Sequence, residues 1–419
     1  MPFSDDLVKC KHCGKLEEWG KMIWLNGSQW CPQCYVKERY GLDTQGINMK
    51  KTKCLFDEEK QTPAGMVSVS QLQSFMSCGK KWEYGYVENL TPRVERPYLS
   101  IGKLCHRGMQ VAMQCVWKNQ RTETPMNKTE VLRSALYAID CDWEKYMEEN
   151  TFLDEEIPDQ EKMLEDAKSV FEQAFYEFDI DKYEVVTVYK DGMPFPALEL
   201  HFVVPCAGSK GLHGYIDAIL KDKNTGFTWC TDYKFRKALS PDEEEAYNIQ
   251  NAVYCWACHK MGIDITGTMT WQHTNTPATD PQVLKNGAMS RAKIKTTWER
   301  YAECCVRAGL DPADYEEEMK EKLADNEFYR PTYEYRNLET VKRIWNDAVV
   351  PASYAVKAAY KKSNRRSMYP WNCKMCQYQS ICQAELRGYD AQAIRDREYA
   401  VRQHRQPTEE DTADVVSKI

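Results

Sequence analysis

The spacing of apolar residues changes partway along the chain. Between residues 129 and 178 apolar side chains recur every three or four positions, which predicts two helices, Thr129–Glu149 and Pro158–Phe178. Beyond residue 180 the period becomes two, as in half-buried strands. Four successive strands with Gly, Pro or charged turns between them are predicted: Tyr183–Tyr189, Ala197–Val204, His213–Lys221 and Gly226–Phe235.

Helical signals return after the fourth strand. Ser240-Pro241 and the acidic run Asp242 to Glu245 mark the start of a helix, and Gly262 marks its end. Three further elements are predicted: a strand at Ile265–Thr274, a mostly helical insertion at about 277–326, and a helical stretch from Leu338 to Lys361. Strands and long helices together predict an α/β fold.

The N-terminal region carries two Cys-x-x-Cys pairs, formed by Cys10, Cys13, Cys31 and Cys34. Their spacing is typical of a zinc ribbon, in which two turns present four thiolates to one structural Zn²⁺. We therefore divide the chain into a ribbon (1–40), a polar, basic linker (41–66), a main domain (67–400) containing the 277–326 insertion, and a polar tail (401–419) expected to be disordered.

Composition limits the partners and the compartment. The chain of 419 residues has 56 Lys+Arg against 63 Asp+Glu, so contacts with nucleic acid require local basic patches rather than net charge. No apolar run approaches a membrane span, and we find no signal peptide. The 18 cysteines of so large a chain are better explained as reduced metal ligands in a cytoplasm than as disulfides.

Two predicted strands carry candidate catalytic groups. Asp232 and Lys234 share one face of the fourth strand, and Asp217 lies between apolar neighbours on the third. A buried carboxylate is costly unless it is paired or binds a cation. Asp217 and Asp232 therefore form a hard-oxygen site suited to Mg²⁺ or Mn²⁺, with Lys234 placed to hold water or stabilise phosphoryl charge.

A second set of cysteines indicates another metal site in the main domain. Cys373, Cys376 and Cys382 present three thiolates from one short loop, so a fourth ligand must come from elsewhere. Cys78, at the end of a short helical pattern, is the best candidate. Thiolates bind both zinc and iron–sulfur clusters, and the chemistry alone leaves both open.

Several motifs, in order, resemble the PD-(D/E)XK nuclease superfamily, specifically its RecB-like iron–sulfur branch, which includes CRISPR-associated exonucleases and the AddB nuclease domain. The resemblance covers about Val67 to Arg387. The matching motifs are the helix from Ser70 through Phe75 to Cys78, Gly102-Lys-Leu-Cys-His106, Gly214-Tyr-Ile-Asp217, Asp232-Tyr-Lys234, Gln250-x-x-x-Tyr254, and Tyr369-Pro370 before the last three cysteines.

The resemblance implies a restriction-endonuclease-like core, with a mixed sheet flanked by helices, and assigns roles to its residues. His106, Asp217 and Asp232, with the backbone carbonyl of Tyr233, would bind the catalytic Mg²⁺ or Mn²⁺, and Lys234 would position the water. Gln250 and Tyr254 would line the site. The four cysteines, Cys78, Cys373, Cys376 and Cys382, would hold a [4Fe–4S] cluster. Glu199 matches an acidic residue of some relatives, but alternation alone would also place a surface carboxylate there.

The function these observations predict is a metal-dependent DNA nuclease, and an exonuclease rather than an endonuclease. Single- or double-stranded DNA would be the substrate, in recombination, repair, phage DNA processing or CRISPR spacer acquisition. A recombination, helicase or CRISPR-type protein partner is expected, in the cytoplasm of a bacterium or of a phage-infected host cell. The alternative is a non-catalytic DNA-binding scaffold that retains a nuclease-like core.

Overall fold

The computed structural model describes residues 66–93, 97–149, 152, 157–190, 192–360 and 364–401, together with four short strands nearer the N-terminus. Those strands form two antiparallel pairs, β1 (Leu7–Lys9) with β2 (Leu16–Glu18) and β3 (Ile23–Leu25) with β4 (Ser28–Trp30). Several predictions lie outside the described residues: the zinc ligands Cys10, Cys13, Cys31 and Cys34, nearly all of the linker, and the tail beyond residue 401.

The main domain is built on a mixed sheet, which has seven strands among the described residues. The strands of the domain, in chain order, are β5 (Met66–Ser68), β6 (Leu90–Pro92), β7 (Tyr183–Val185), β8 (Thr187–Lys190), β9 (Met193–Pro196), β10 (Leu198–Val204), β11 (Gly211–Asp222), β12 (Thr228–Arg236), β13 (Gly267–Thr274), β14 (Tyr329–Tyr335) and β15 (Tyr399–Val401). The main path of the sheet is β10-β11-β12-β13-β14, and both β5 and β7 pair with β11.

The helices flank this sheet. They are α1 (Val69–Ser77), α2 (Gly79–Trp82), α3 (Pro97–Asn119), α4 (Lys128–Glu149), α5 (Ile157–Glu177), α6 (Asp242–Glu245), α7 (Ile249–Met261), α8 (Trp298–Arg307), α9 (Glu316–Leu323), α10 (Leu338–Ile344), α11 (Val350–Ala359), α12 (Pro370–Lys374), α13 (Gln379–Arg387) and α14 (Ala391–Glu398). Short π-helical turns at Glu83–Val87 and Trp345–Val349 extend α2 and join α10 to α11. None of the helices described is long and apolar enough to cross a membrane.

Two hydrophobic cores lie on opposite faces of the sheet. On one face α3, α4 and α5 bury residues such as Met109, Ile139 and Phe171 against Trp229 and Trp271 of the sheet. On the other face α1, α7 and α11 pack against β10 and β11. This arrangement of helices on both sides of a mixed sheet confirms the predicted α/β class.

The structure differs from the predicted elements in two places. The strand predicted at Tyr183–Tyr189 is divided, because β7 joins β11 while β8 turns away to pair with β9. The helix predicted to start at Ser240-Pro241 is also divided, into α6 and α7. Asn248 caps the start of α7 by accepting a hydrogen bond from the Gln250 backbone N–H. The predicted insertion contains α8 and α9, but residues 277–297 form no helix.

One edge of β11 is shared by two strands, and this leaves a gap. β5 runs parallel to residues 211–213, whereas β12 runs antiparallel to residues 218–221. Among the described residues, positions 214–217 of β11 have no ladder partner on that edge. Gly214 lies in the gap, and a Cβ there would approach Phe202 to 2.9 Å and Val69 to 3.1 Å. A side chain at this position would therefore disturb the packing behind the gap.

Candidate catalytic site and cysteine-lined cavity

Asp217 and Asp232 meet at the gap between β11 and β12. The ladder between the two strands ends with Ala218 opposite Thr231, so the next residue on each strand is an aspartate. The Asp217 Oδ2 atom accepts a hydrogen bond of 2.9 Å from the Tyr233 backbone N–H, in place of a ladder bond. The Asp217 carboxylate therefore links β11 to β12 at the point where the two strands separate.

Glu199 adds a third carboxylate to the same row. On β10 it stands between Leu198, which pairs with Ala218, and Leu200, which pairs with Ile216, and so lies opposite Asp217. Its φ is 44°, in the left-handed region that few non-glycine residues adopt. Strained backbone of this kind is concentrated at functional sites. The register places Glu199 with the other acids rather than at an isolated surface position.

Lys234 and Gln250 contact the Asp232 carboxylate. The Lys234 ammonium donates to Oδ1 at 2.8 Å and lies 2.7 Å from Oδ2. The Gln250 amide donates to Oδ1 at 3.2 Å and to the Tyr254 hydroxyl at 2.7 Å. Because Gln250 and Tyr254 are one turn apart on α7, that helix presents both groups on one side, toward Asp232.

His106 reaches the acids from α3. Its Nδ1 atom lies 3.5 Å from Asp217 Oδ2, and its ring meets the Tyr233 ring edge to face, with centroids 6.3 Å apart. Burial, and then the nearby Lys234 ammonium, lower the pKa of His106 to about 4. The imidazole is therefore neutral at physiological pH and keeps a nitrogen lone pair for a cation.

The three carboxylates carry more negative charge than their surroundings balance. Burial, and then Asp232, raise the pKa of Asp217 well above its usual range, and Glu199 adds to the effect. Burial raises the pKa of Glu199 to about 7, with Arg107 opposing the shift and Asp232 adding to it. Burial disfavours the Lys234 ammonium, but Asp232 and Asp217 outweigh it and raise the pKa of Lys234.

The donor set fits a hard divalent cation. Three carboxylates, a neutral imidazole and a backbone carbonyl are ligands that Mg²⁺ or Mn²⁺ accepts. Asp232 is 2% exposed, and its Oδ2 accepts no well-directed hydrogen bond although Lys234 Nζ is near. In the part of the chain that the structure describes, no three Cys, His, Asp or Glu groups converge at metal-ligand distance as they stand.

Arg107 is a residue of the site that the sequence reasoning missed. It follows His106 on α3 and opposes the rise in the pKa of Glu199 by its positive charge. Its Nε lies 3.5 Å from Asp142 Oδ1. A lone arginine on a helix carries no sequence signal, so the position of Arg107 next to His106 is the one feature of the sequence that could have identified it.

The second group of predicted ligands also comes together in space. Among the residues that line a cavity of about 360 Å³ between α1–α2 and α12–α13 are all four cysteines, Cys78, Cys373, Cys376 and Cys382. The Ser367 backbone N–H donates to Cys78 Sγ at 3.4 Å, and Arg366 Nε–H donates to Cys382 Sγ at 3.4 Å. The structure thus brings Cys78 to the C-terminal trio across about 290 residues of chain.

A mixed sheet that carries two acids and an Asp-x-Lys motif on neighbouring strands defines the class of restriction-endonuclease-like folds. The profile of the PD-(D/E)XK nuclease superfamily matches residues 66–383. Because this match spans well over half of the sequence, the chain belongs to the PD-(D/E)XK nuclease superfamily. A comparison with curated protein sequences yields no match.

Proposed function

We propose that this protein is a divalent-metal-dependent DNA nuclease, and that it acts as an exonuclease. The observation that carries the proposal is the convergence of Glu199, Asp217 and Asp232 on three neighbouring strands, with the Lys234 ammonium against one of them. An excess of buried negative charge beside a cationic donor suits a site that binds a cation and a phosphodiester together.

The residues of the site divide the work of hydrolysis among them. Asp217, Asp232 and Glu199, with His106 and the Tyr233 carbonyl, would hold Mg²⁺ or Mn²⁺, which supplies Lewis acidity at the phosphodiester. Lys234 keeps its proton and can donate a hydrogen bond to the attacking water or to a phosphoryl oxygen. The water oxygen bonds to phosphorus and gives up a proton to solvent as one ester P–O bond of the backbone breaks, and the leaving oxygen takes up a proton to become a hydroxyl.

Gln250 and Tyr254 have a supporting part in this scheme. Gln250 fixes the Asp232 carboxylate by donating to Oδ1, and the Tyr254 hydroxyl in turn accepts from Gln250. A carboxylate held by a second donor keeps its orientation when the cation binds.

The direct test is cleavage of labelled single- and double-stranded DNA with Mn²⁺ or with a chelator. We expect Mn²⁺-dependent cleavage by the wild type, and its loss in Asp232→Ala and Lys234→Ala with DNA binding largely retained. Covalently closed circular DNA should resist an exonuclease. Lys293→Ala and Asp325→Ala, which remove an exposed ion pair on the insertion, serve as matched controls.

Two outcomes would overturn this function. Full activity in both site variants would refute the assignment of Asp232 and Lys234. An inert wild type, purified without oxygen so that its metal sites are retained, would favour the alternative of a DNA-binding scaffold. Cleavage of closed circles would refute only the exonuclease assignment.

We further propose that the cysteine-lined cavity holds a [4Fe–4S] cluster, as in the RecB-like iron–sulfur branch. Four thiolates can bind either a single zinc ion or the larger [4Fe–4S] group, so the ligands alone leave both open. The cavity of about 360 Å³ between the thiols, and hydrogen bonds to two of the sulfurs, suit the larger group. Visible absorption of anaerobically purified protein, with iron and zinc counted per chain, distinguishes the two metals.

The pathway and the partners are also proposals. Recombination, repair, phage DNA processing and CRISPR spacer acquisition all require DNA ends to be trimmed, and the sequence favours one of these settings with a helicase-like or CRISPR-type partner. The predicted zinc ribbon is a candidate for recruiting that partner. Zinc content in a variant with Cys10 and Cys13 changed to serine, and co-purification from the native host, would test these assignments.

A further inference from the structure

Beside the catalytic acids, β10 and β11 bury one face against helices, while residues on the other face are half-buried or exposed. Along β10 and β11, Leu200, Phe202 and Ile216 are buried in the core formed with α1 and α7. The alternating residues of the same strands face the other way, where α3 reaches only the end that carries the acids, through His106. Tyr215 is the most open of these, with 54% of its surface exposed. An exposed aromatic side chain on these strands therefore adjoins the site.

Three rings form a row on this face of β10 and β11. Tyr215 stands directly opposite His201 in the β10–β11 ladder, and their ring centroids are 4.7 Å apart at an interplanar angle of 31°. His213 follows, with its ring centroid 5.8 Å from that of His201. His201 therefore supports the Tyr215 ring from one side, so that the tyrosine is oriented even though it is exposed.

The row of rings leads directly to the catalytic acids. Tyr215 precedes Asp217 by two residues on β11, a distance of about 7 Å along a strand. Glu199 precedes His201 by two residues on β10. Partial burial raises the pKa of Tyr215, and the nearby Glu199 carboxylate adds to that rise. A strand of DNA whose phosphodiester lies at the acids would thus carry a neighbouring base over these rings.

On the basis of the proposed nuclease function, we infer that Tyr215, supported by His201, is a stacking platform for the nucleobase next to the scissile phosphodiester. Aromatic side chains that stack on bases bind single strands without sequence preference, because every base offers a flat face. A base can stack there only when it has left its own duplex neighbours. The platform therefore favours unpaired strands or frayed ends over intact duplex.

The first test measures binding of a fluorescent single-stranded oligonucleotide by anisotropy, in the Asp232→Ala background so that the DNA stays intact. We expect Tyr215→Ala to weaken binding about tenfold, the effect of losing one stacked base. Tyr215→Phe should retain the affinity because the ring remains. Tyr137→Ala, which removes a tyrosine 70% exposed on α4, is the matched control and should bind like the parent protein.

The second test removes the base instead of the ring. A single abasic nucleotide is moved along the oligonucleotide, one position at a time. We expect the Tyr215-containing protein to lose affinity at one position, and Tyr215→Ala to lose nothing further at that position. Equal losses for both proteins at every position, or full binding by Tyr215→Ala, would overturn the platform.

The outcomes also separate this inference from the nuclease assignment. An active wild type whose Tyr215→Ala variant binds and cleaves normally would refute the platform alone. An inert wild type whose Tyr215→Ala variant binds tenfold more weakly would refute the nuclease and leave a base-stacking surface on a DNA-binding protein.

Discussion

The proposed catalytic acids and the cysteine-lined cavity are assembled in opposite ways. Strand register brings together Glu199, Asp217 and Asp232, which are close in sequence, and the obstacle is their like charge. The cysteines come from the two ends of the domain, where the Ser367 backbone N–H donates a hydrogen bond to Cys78 Sγ. The obstacle to bringing them together is the entropy of closing a long loop. We expect the acids to weaken the cation-free fold and the cysteine site, once filled, to strengthen it.

The largest effect should come from removing one charge at the acids. Asp217→Asn keeps an oxygen that can accept from the Tyr233 N–H but loses the negative charge. We expect Mn²⁺-dependent cleavage to fall about 10³-fold, while the cation-free protein unfolds no more easily than the wild type. Cleavage rates and urea unfolding measure the two results. Asp325→Asn, an exposed acid, is the control, and a large loss of stability in Asp217→Asn would contradict the proposed charge repulsion.

A smaller effect, of opposite kind, is expected at the cysteines. Cys376→Ser should lower the metal content per chain and reduce the free energy of unfolding by roughly 3 kcal/mol, because the link across the long loop is lost. Cys141→Ser, a partly exposed cysteine on α4 outside the cavity, should change neither. Metal analysis and chemical unfolding measure these outcomes. Unchanged metal content in Cys376→Ser would refute the assignment of this cavity.

The pH dependence of stability sharpens the comparison at Glu199. The folded pKa of about 7 lies above the ordinary value of 4.5, so protonation favours the folded state. This contribution is fully present below about pH 4.5 and is lost as the pH rises through 7. Without divalent cation, we expect Glu199→Gln to flatten the fall in stability between pH 5 and pH 8 by roughly 2 kcal/mol.

Unfolding by urea across this range gives the measurement for Glu199. The exposed Glu184 of β7 supplies the control, since Glu184→Gln should leave the wild-type slope in place. An identical slope in Glu199→Gln and the wild type would mean that the Glu199 carboxylate does not share the repulsion. Added Mn²⁺ should also flatten the wild-type curve, because it neutralises the same charges.

The smallest effect is expected from a supporting residue. Gln250→Ala removes the hydrogen bonds to Asp232 and Tyr254, so cleavage should slow about tenfold without loss of DNA binding. Gln173→Ala removes a comparable bond to Glu177 on α5 and should leave the rate unchanged. A steady-state comparison of the two variants tests this. A wild-type rate in Gln250→Ala would show that Asp232 is oriented without it.

The central strands were predictable because successive residues of each strand point to opposite faces of the sheet, and each face has a buried core. The predictions for Ala197–Val204, His213–Lys221 and Gly226–Phe235 are confirmed within two residues by β10, β11 and β12. β14 was missed because Pro331 interrupts its pattern, and proline is tolerated there at the outer position of the sheet path. Helix α3 was also missed, although Leu104, Cys105, Met109, Ala112 and Met113 recur at helical spacing.

The site was less accessible to sequence reasoning than the sheet. Asp217, Asp232 and Lys234 follow from strand alternation, because neighbouring strands with aligned acids must bring them close. The position of Glu199 depends on pairing register and on a positive φ, neither of which a single strand pattern reveals. Tyr215 could not be recognised because its exposure depends on which helices cover the sheet.

The pairing of β6 with β15 has a consequence for how the protein is made. Pro92 pairs with Tyr399, and Tyr84 and Tyr378 pack in the same small core beside the cysteine cavity. On the ribosome, the first of these partners emerges about 300 residues before the last, which at ordinary elongation rates is about 15 to 60 s earlier. During that interval the N-terminal half of this core stays exposed. A chain terminated before residue 399 would therefore remain a substrate for chaperones and proteases, because this small core is completed only when β15 has been made.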